Sequence, residues 1–208
     1  MLLQQTIKGL TTNINGEDNY FHFDKDDFSI SSTEIRITGR NNKILVGKST
    51  NFKNLKITIT GSNNLIEIGS KCRIVGKLLI IGDSQKISIG DRTTLREDNY
   101  LHSEEGKNIS IGDRCMFSTD VTIRTSDSHS VIDKSTNERV NKAGDVIIGD
   151  HVWIAANTLI SKGVTIPEDC IVGANSVVTK SFEEKSCAIG GIPAKVLKNN
   201  VTWTRERL

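Results

Sequence analysis

Ile148-Gly149-Asp150-His151-Val152-Trp153, Ile154-Ala155-Ala156-Asn157-Thr158-Leu159, Ile160-Ser161-Lys162-Gly163-Val164-Thr165, Ile166-Pro167-Glu168-Asp169-Cys170-Ile171 and Val172-Gly173-Ala174-Asn175-Ser176-Val177, closed by Val178, form an unbroken run of six-residue frames. Every frame opens on Ile or Val. A small or apolar residue recurs four places later, at Val152, Thr158, Val164, Cys170 and Ser176. A fixed short period of this kind marks a repeat architecture. The physical reading is an all-β parallel β-helix. Each frame makes one short strand on one face of a prism, and the opening aliphatic points inward. Inward residues of successive coils stack at the spacing of neighbouring strands, about 4.8 Å. The fourth residue after it also points inward, near a corner, and must be small.

Upstream the repeat is longer. The tetrad aliphatic-x-aliphatic-Gly ends at Gly47, Gly69, Gly90, Gly112 and Gly149. The first four are 21 or 22 residues apart, so each unit is one three-sided coil plus a short turn. The extra residues are turn formers: Gly39-Arg40-Asn41-Asn42, Gly61-Ser62-Asn63-Asn64 and Gly82-Asp83-Ser84-Gln85. Gly and Asn tolerate the positive φ that tight turns need. The last gap is 37 residues and holds an insertion, read as a protruding loop over 124–145. Long loops in compact domains are often functional.

The composition agrees. Ile numbers 27, Val 13 and Thr 19, against 6 Ala. β-branched side chains suit pleated strands and are stiff in helices, which excludes a helical bundle. Charged residues at 25% with a net charge of +2 exclude strong disorder and give no electrostatic case for nucleic acid. No apolar run is long enough for a transmembrane segment. Met1-Leu2-Leu3-Gln4-Gln5 lacks a signal-peptide core, so a cytoplasmic location is expected. Cys72, Cys115, Cys170 and Cys187 show neither CxxC pairing nor zinc spacing. The first three sit at small inward positions and read as buried packing thiols.

The outlying segments are less periodic. Residues 1–29, with Glu17-Asp18, Asp24, Asp26-Asp27 and the aromatics Tyr20, Phe21, Phe23 and Phe28, read as an N-terminal cap over the open end. Residues 30–182 read as the β-helix and 183–208 as a C-terminal tail, in which Thr204-Arg205-Glu206-Arg207-Leu208 is expected to be a short helix.

Four histidines are present: His22, His102, His129 and His151. No HxxxH or HxxxxH pair occurs, so metal catalysis is not indicated. His129 lies in the insertion, among hydroxyls and beside Asp127. A neutral imidazole is a suitable general base for an alcohol, and a nearby carboxylate or carbonyl can fix its tautomer. His151 occupies an outward frame position and is expected to be solvated; His22 and His102 read as structural. Trp153 also points outward. A large exposed aromatic on a flat face calls for cover, by a neighbouring subunit or a ligand.

The runs Gly149-Asp150-His151-Val152-Trp153-Ile154, Gly163-Val164-Thr165-Ile166-Pro167 and Val172-Gly173-Ala174-Asn175-Ser176-Val177-Val178-Thr179-Lys180 resemble the hexapeptide-repeat acetyltransferases. The tail Ala188-Ile189-Gly190-Gly191-Ile192-Pro193-Ala194-Lys195-Val196 is similar to that family's closing signature, with Ile192 where the family often has a polar residue. With Ser126-Asp127-Ser128-His129, the pattern resembles the capsule and polysialic acid O-acetyltransferases over about residues 110–203. The resemblance implies a left-handed β-helix, an exception to the usual crossover hand. It implies a homotrimer with acetyl-CoA in clefts between subunits. It implies His129 as catalytic base and Trp153 where thioester and acceptor meet; Asp127, beside the histidine in sequence, is itself read as orienting the imidazole. Backbone groups at Ala156 and Ala174 would hold the pantetheine arm, and Thr179, Lys180, Lys195 and Lys198 the adenosine and phosphate end. The acceptor is expected to be a surface-glycan hydroxyl, offered hydroxyl partners by Thr125, Ser126, Ser128 and Ser130. An amino-sugar nucleotide taking acetyl on nitrogen, and a non-enzymatic scaffold, are the alternatives.

Overall fold

Ile148, Ile154, Ile160, Ile166, Val172 and Val178 are all buried to 2% exposure or less. In the computed structural model, which describes residues 7–23 and 27–207, they line the inside of a three-faced parallel β-helix. Face one carries Thr94–Leu95, Met116–Phe117, Trp153–Ile154, Ile171–Val172 and Cys187–Gly191. Face two carries Tyr100–Glu104, Thr122–Arg124, Leu159–Ile160 and Val177–Val178. The longer strands Asn51–Thr60 and Arg73–Ile81 run across the corner between these faces. Face three stacks seven strands from Tyr20–His22 to Thr165–Ile166. There Val46, Ile68, Ile89, Ile111, Ile148 and Ile166 form one continuous inward column.

The small inward positions behave as the spacing requires. Val152, Thr158, Val164, Cys170 and Ser176 are buried. Cys72 and Cys115 are buried too, and each thiol meets the carbonyl oxygen of the next coil, Gly90 and Gly149, at 3.1 Å. Cys187, outside the frame, stacks on Cys170 with 3.5 Å between sulfurs, both free. Burial pushes the Cys72 and Cys115 thiols up to about 11 and the Cys187 thiol to about 12. These three thiols are therefore protonated at neutral pH.

The paired asparagines of the early turns divide their work. Asn41 and Asn63 take the left-handed conformation, φ 56° and 61°. Asn42 and Asn64 turn inward and build a buried ladder. Asn42 Nδ2 donates to Asn19 Oδ1 at 3.0 Å and to Gly61 O at 2.9 Å. Asn42 Oδ1 accepts from Asn64 N at 3.0 Å, and Asn64 Oδ1 from Gln85 N at 2.9 Å. The ladder satisfies corner backbone groups that a strand pattern leaves over. The adjoining glycines are forced: at Gly61, φ +135°, a Cβ would lie 1.9 Å from Gly82 O.

Parallel pairing already begins at Leu10–Asn15, against Thr33–Thr38, and Tyr20–His22 joins face three. The aromatics Phe21, Phe23, Phe28 and Phe52 pack in sequence at ring-centroid distances of 4.7–5.0 Å. Asp24 and Asp26 of the acidic cluster, residues Met1–Gln5 and Leu208 lie outside the described residues. No helix is present among the described residues, so none is long and apolar enough to cross a membrane.

Of the helix expected over Thr204–Leu208, the described residues 204–207 form none. After the antiparallel pair Cys187–Gly191 and Ala194–Asn199, residues 201–207 run irregularly back over face one. A five-residue helix gains too few hydrogen bonds to offset its nucleation cost. Burial of Trp203, 8% exposed, decides the path instead.

Removing a ladder amide leaves buried partners unsatisfied. Asn64→Ala is expected to lower stability by about 1–3 kcal/mol, and Asn63→Gly, at an exposed left-handed position, by less than about 0.5 kcal/mol. Urea unfolding followed by circular dichroism distinguishes the two.

Candidate active site

The repeat breaks step between Thr122–Arg124 on face two and Val146–Ile148 on face three. The intervening loop, expected to protrude, does so from the edge where these faces meet. Its one sheet-like contact is the Ile132–Arg139 bridge. Two adjacent carboxylates at the end of Tyr100–Glu104 latch it down. Glu105 accepts a two-pronged pair from Arg139, at 2.6 and 2.9 Å, and also the Ser126 hydroxyl. Glu104 accepts the Ser128 hydroxyl at 2.6 Å. The Arg139 guanidinium and the Ser126 hydroxyl hold the Glu105 carboxyl down to about 2. Thr125 bridges to the backbone of Glu104, donating at 3.0 Å and accepting at 2.8 Å.

His129 is exposed on this latched loop. Its backbone is fixed at both ends: N–H donates to Asp127 O, and its carbonyl accepts from Asn141 Nδ2, each at 2.8 Å. Its imidazole makes no hydrogen bond among the described residues. The Asp127 carboxylate is turned to Lys162 and to Asn141 Nδ2, at 2.5 and 2.8 Å. Those two partners hold it below the usual carboxylate range. The structure thus does not bring the Asp127 carboxylate to the imidazole. Asp127 reaches His129 through Asn141 and the backbone.

His102 lies just behind the latch and is 5% exposed. Its Nδ1 is 3.4 Å from Arg124, and burial lowers its pKa and favours the neutral ring.

Trp153 is half-buried on face one, its indole N–H donating to Ser118 Oγ at 3.4 Å. One of its flanks is covered by the chain's own Trp203, at 6.0 Å between centroids. His151, expected to be solvated, is instead half-buried. It stacks on Trp203 at 4.5 Å, and its Nδ1 meets Asp169 at 2.8 Å. The outward position of a flat face became covered because the tail folds over it.

The remaining predicted residues fall into two groups. Ala156 and Ala174 follow face-one strands at the corner with face two, and Lys195 and Lys198 lie exposed on the last strand. Thr179 and Lys180 follow Val177–Val178, exposed on the same edge as the loop. One chain therefore holds Trp153, Ala156, Ala174, Lys195 and Lys198 on and beside face one. It holds His129, Asp127, Thr179 and Lys180 on the edge between faces two and three. Among the described residues no hydrogen bond or ion pair joins the two groups. The frame pattern gave no sign of Glu104, Glu105, Arg139, Asn141, Lys162 or Trp203, whose partners are 21 to 52 positions distant or within an aperiodic loop; an acidic pair ending a strand beside the insertion was the nearest signal.

A fold of this kind, broken by one histidine-bearing loop, defines a class that comparison with known proteins makes explicit. Residues 145–180 match the bacterial transferase hexapeptide (six repeats) model. The polysialic acid O-acetyltransferase of Neisseria meningitidis is 35% identical over 176 residues, 85% of this chain and 81% of that protein. The polysialic acid O-acetyltransferase of Escherichia coli O1:K1 / APEC is 34% identical over 127 residues, 61% of this chain but 41% of that protein's length. The crystal structure of the polysialic acid O-acetyltransferase OatWY superposes with a TM-score of 0.91 at 31% identity, over 95% of this chain and 93% of that one. The chain belongs to the hexapeptide-repeat acetyltransferase family that includes these polysialic acid O-acetyltransferases.

The latch carries a pH dependence. Glu105 has its pKa lowered from 4.5 to about 2, so its contribution to loop order is full above pH 4.5 and is lost as pH falls from there towards 2. Limited proteolysis of the loop with an acid-active protease is expected to accelerate across that window, and Glu105→Gln to show rapid cleavage already at pH 6.

Proposed function

We propose that this enzyme transfers acetyl from acetyl-CoA to a sugar hydroxyl of a bacterial capsule polysaccharide, with His129 as general base. The observation that carries the reading is the placement of His129. The single large break in the repeat carries a histidine whose backbone is fixed and whose imidazole is left without an internal partner. The named activity of the Neisseria meningitidis and Escherichia coli relatives supports the acceptor class and suggests polysialic acid within it.

In this reading the neutral imidazole takes the proton of the attacking hydroxyl as it adds to the thioester carbonyl, and returns it to the departing thiolate. General-base assistance of this kind is worth about 10²–10⁴ in rate. A backbone N–H beside the thioester supplies oxyanion stabilisation, worth about 10²–10³. Transfer is direct, within a complex holding both substrates, which removes much of the entropic barrier. Burial of Cys72, Cys115, Cys170 and Cys187 keeps their thiols from a donor at the surface and argues against an acyl-thiol intermediate on them.

The donor fits the residues on face one. Ala155, Ala156, Gly173 and Ala174 leave a low strip at the corner beside Trp153, suited to an extended arm. Lys195 and Lys198, both exposed, offer cations to phosphate groups at its end. Because His129 and Trp153 sit on parts of the prism that do not adjoin, the site is read as shared between two copies in a homotrimer. The exposed apolar side chains Val131, Ile132 and Val140, at 46–59% on the loop, suit contact with a neighbouring subunit. Transfer to an amino-sugar nucleotide uses the same donor, and direct comparison of glycan and nucleotide-sugar acceptors separates the readings.

His129→Ala is expected to lower kcat at least about 10²-fold while CoA binding by calorimetry is retained; a near-normal acceptor-dependent release of thiol would contradict the base assignment. A shared site predicts complementation. Trimers reassembled from equal amounts of His129→Ala and Trp153→Ala chains are expected to regain activity at about a quarter of their sites. No recovery would place both residues in one chain's site.

A further inference from the structure

Residues 201–207 have no regular structure, yet they are tied to the β-helix along their length. Val201 N–H donates to Ser186 O at 2.9 Å. Thr202 donates its hydroxyl to Asp169 Oδ1 at 2.7 Å. The same carboxylate holds His151 Nδ1 at 2.8 Å and Ser186 Oγ at 3.0 Å. Trp203 donates its indole N–H to His151 O at 2.8 Å. Arg205 lies 5.8 Å over the Trp203 ring and donates to Cys115 O at 2.9 Å, three coils from the Ser186 coil where the tail began.

The tail is exposed at most positions, but Trp203 is 8% exposed. Its ring is nearly parallel to His151, at 12°, and tilted by 46° against Trp153. Trp153 by contrast has one long hydrogen bond of its own, 3.4 Å to Ser118. A bond of that length at a half-exposed site fixes an indole poorly. Trp203 is the aromatic that flanks this ring, at 6.0 Å between centroids, on a face where Met116 and Ile171 are its neighbours across the sheet.

We propose that Trp203 is a positioning residue of the acetyltransferase: itself held by contacts with His151 and Arg205, it holds the Trp153 indole at the angle required to receive the acetyl end of the donor. Trp203 itself does not touch the reacting atoms. The proposal rests on the reading that Trp153 lines the donor site. It also explains why an irregular tail is anchored on an Asp169–His151 pair that the proposed chemistry does not use.

The chain has two tryptophans, Trp153 and Trp203, which makes the test direct. In Trp203→Phe and in Trp203→Ala the remaining emitter is Trp153. Trp203→Phe keeps an aromatic wall and is expected to keep high Trp153 anisotropy, a CoA-dependent change in emission, and a KM for acetyl-CoA within about twofold of the parent. Trp203→Ala is expected to lower the anisotropy and raise that KM about tenfold, with kcat changed less than about threefold, the signature of lost binding geometry. Should Trp203→Ala fail to give a β-sheet circular dichroism spectrum, Arg205→Ala in the Trp203→Phe background loosens the strap with the ring retained. It is expected to move anisotropy and KM in the same direction. If Trp203→Ala, or that substitute, matches Trp203→Phe in anisotropy and KM and differs only in Tm, Trp203 is packing alone and the proposal is overturned. If CoA alters Trp153 emission in neither variant and Trp153→Ala keeps the parental KM, the donor-site reading itself fails, and the positioning role with it.

Discussion

The structure depends on one constraint: each strand pairs in parallel with the equivalent strand one coil away, and an inward aliphatic column holds that register. Ile111, Ile148 and Ile166 meet in one column although the gap between the first two contains the whole insertion. A slip of one residue would turn every inward Ile outward, so the register is strongly specified. The consequence for chemistry is geometric. A side chain on face one and a loop on the opposite edge cannot converge within one prism. That separation of Trp153 from His129 is the reason the site is proposed to be shared between copies.

The parts of the fold legible in the sequence were those repeated at fixed spacing. The inward column, the small corner residues, three of the cysteines and the insertion all follow from counting by six. Features built by single long-range contacts were not legible. Asn42 and Asn64 look like their neighbours Asn41 and Asn63 in composition, but a buried ladder takes one pair and turn geometry the other. The last residues looked helical locally, and burial of one aromatic against His151 overrode that preference. His151 and Trp153 were recognised as outward-facing. What covers them comes from 50 residues further on, and nothing in the frame points to it.

At the candidate site, position was more legible than partnership. The loop advertised His129 by breaking the repeat. The carboxylate beside it in sequence, Asp127, was expected to orient the ring, but is taken by Lys162 and Asn141. Its neighbourhood along the chain was misleading because the loop turns between the two residues. The result is a loop stiffened by Glu104, Glu105, Asp127 and Asn141, with its imidazole unengaged. Such an arrangement suits a base that must meet a hydroxyl from solvent, since a ring already bonded internally would have to break that contact first.

The proposed reaction passes acetyl from a CoA thioester to a glycan hydroxyl. Carbon-13 NMR of a purified sialic acid capsule, incubated with the enzyme and acetyl-CoA labelled at the carbonyl carbon, tests it most directly. Label is expected to appear as ester carbonyl attached to a sugar oxygen, with release of free CoA in equal amount. Label found only as free acetate, or as amide on an amino sugar, would contradict it.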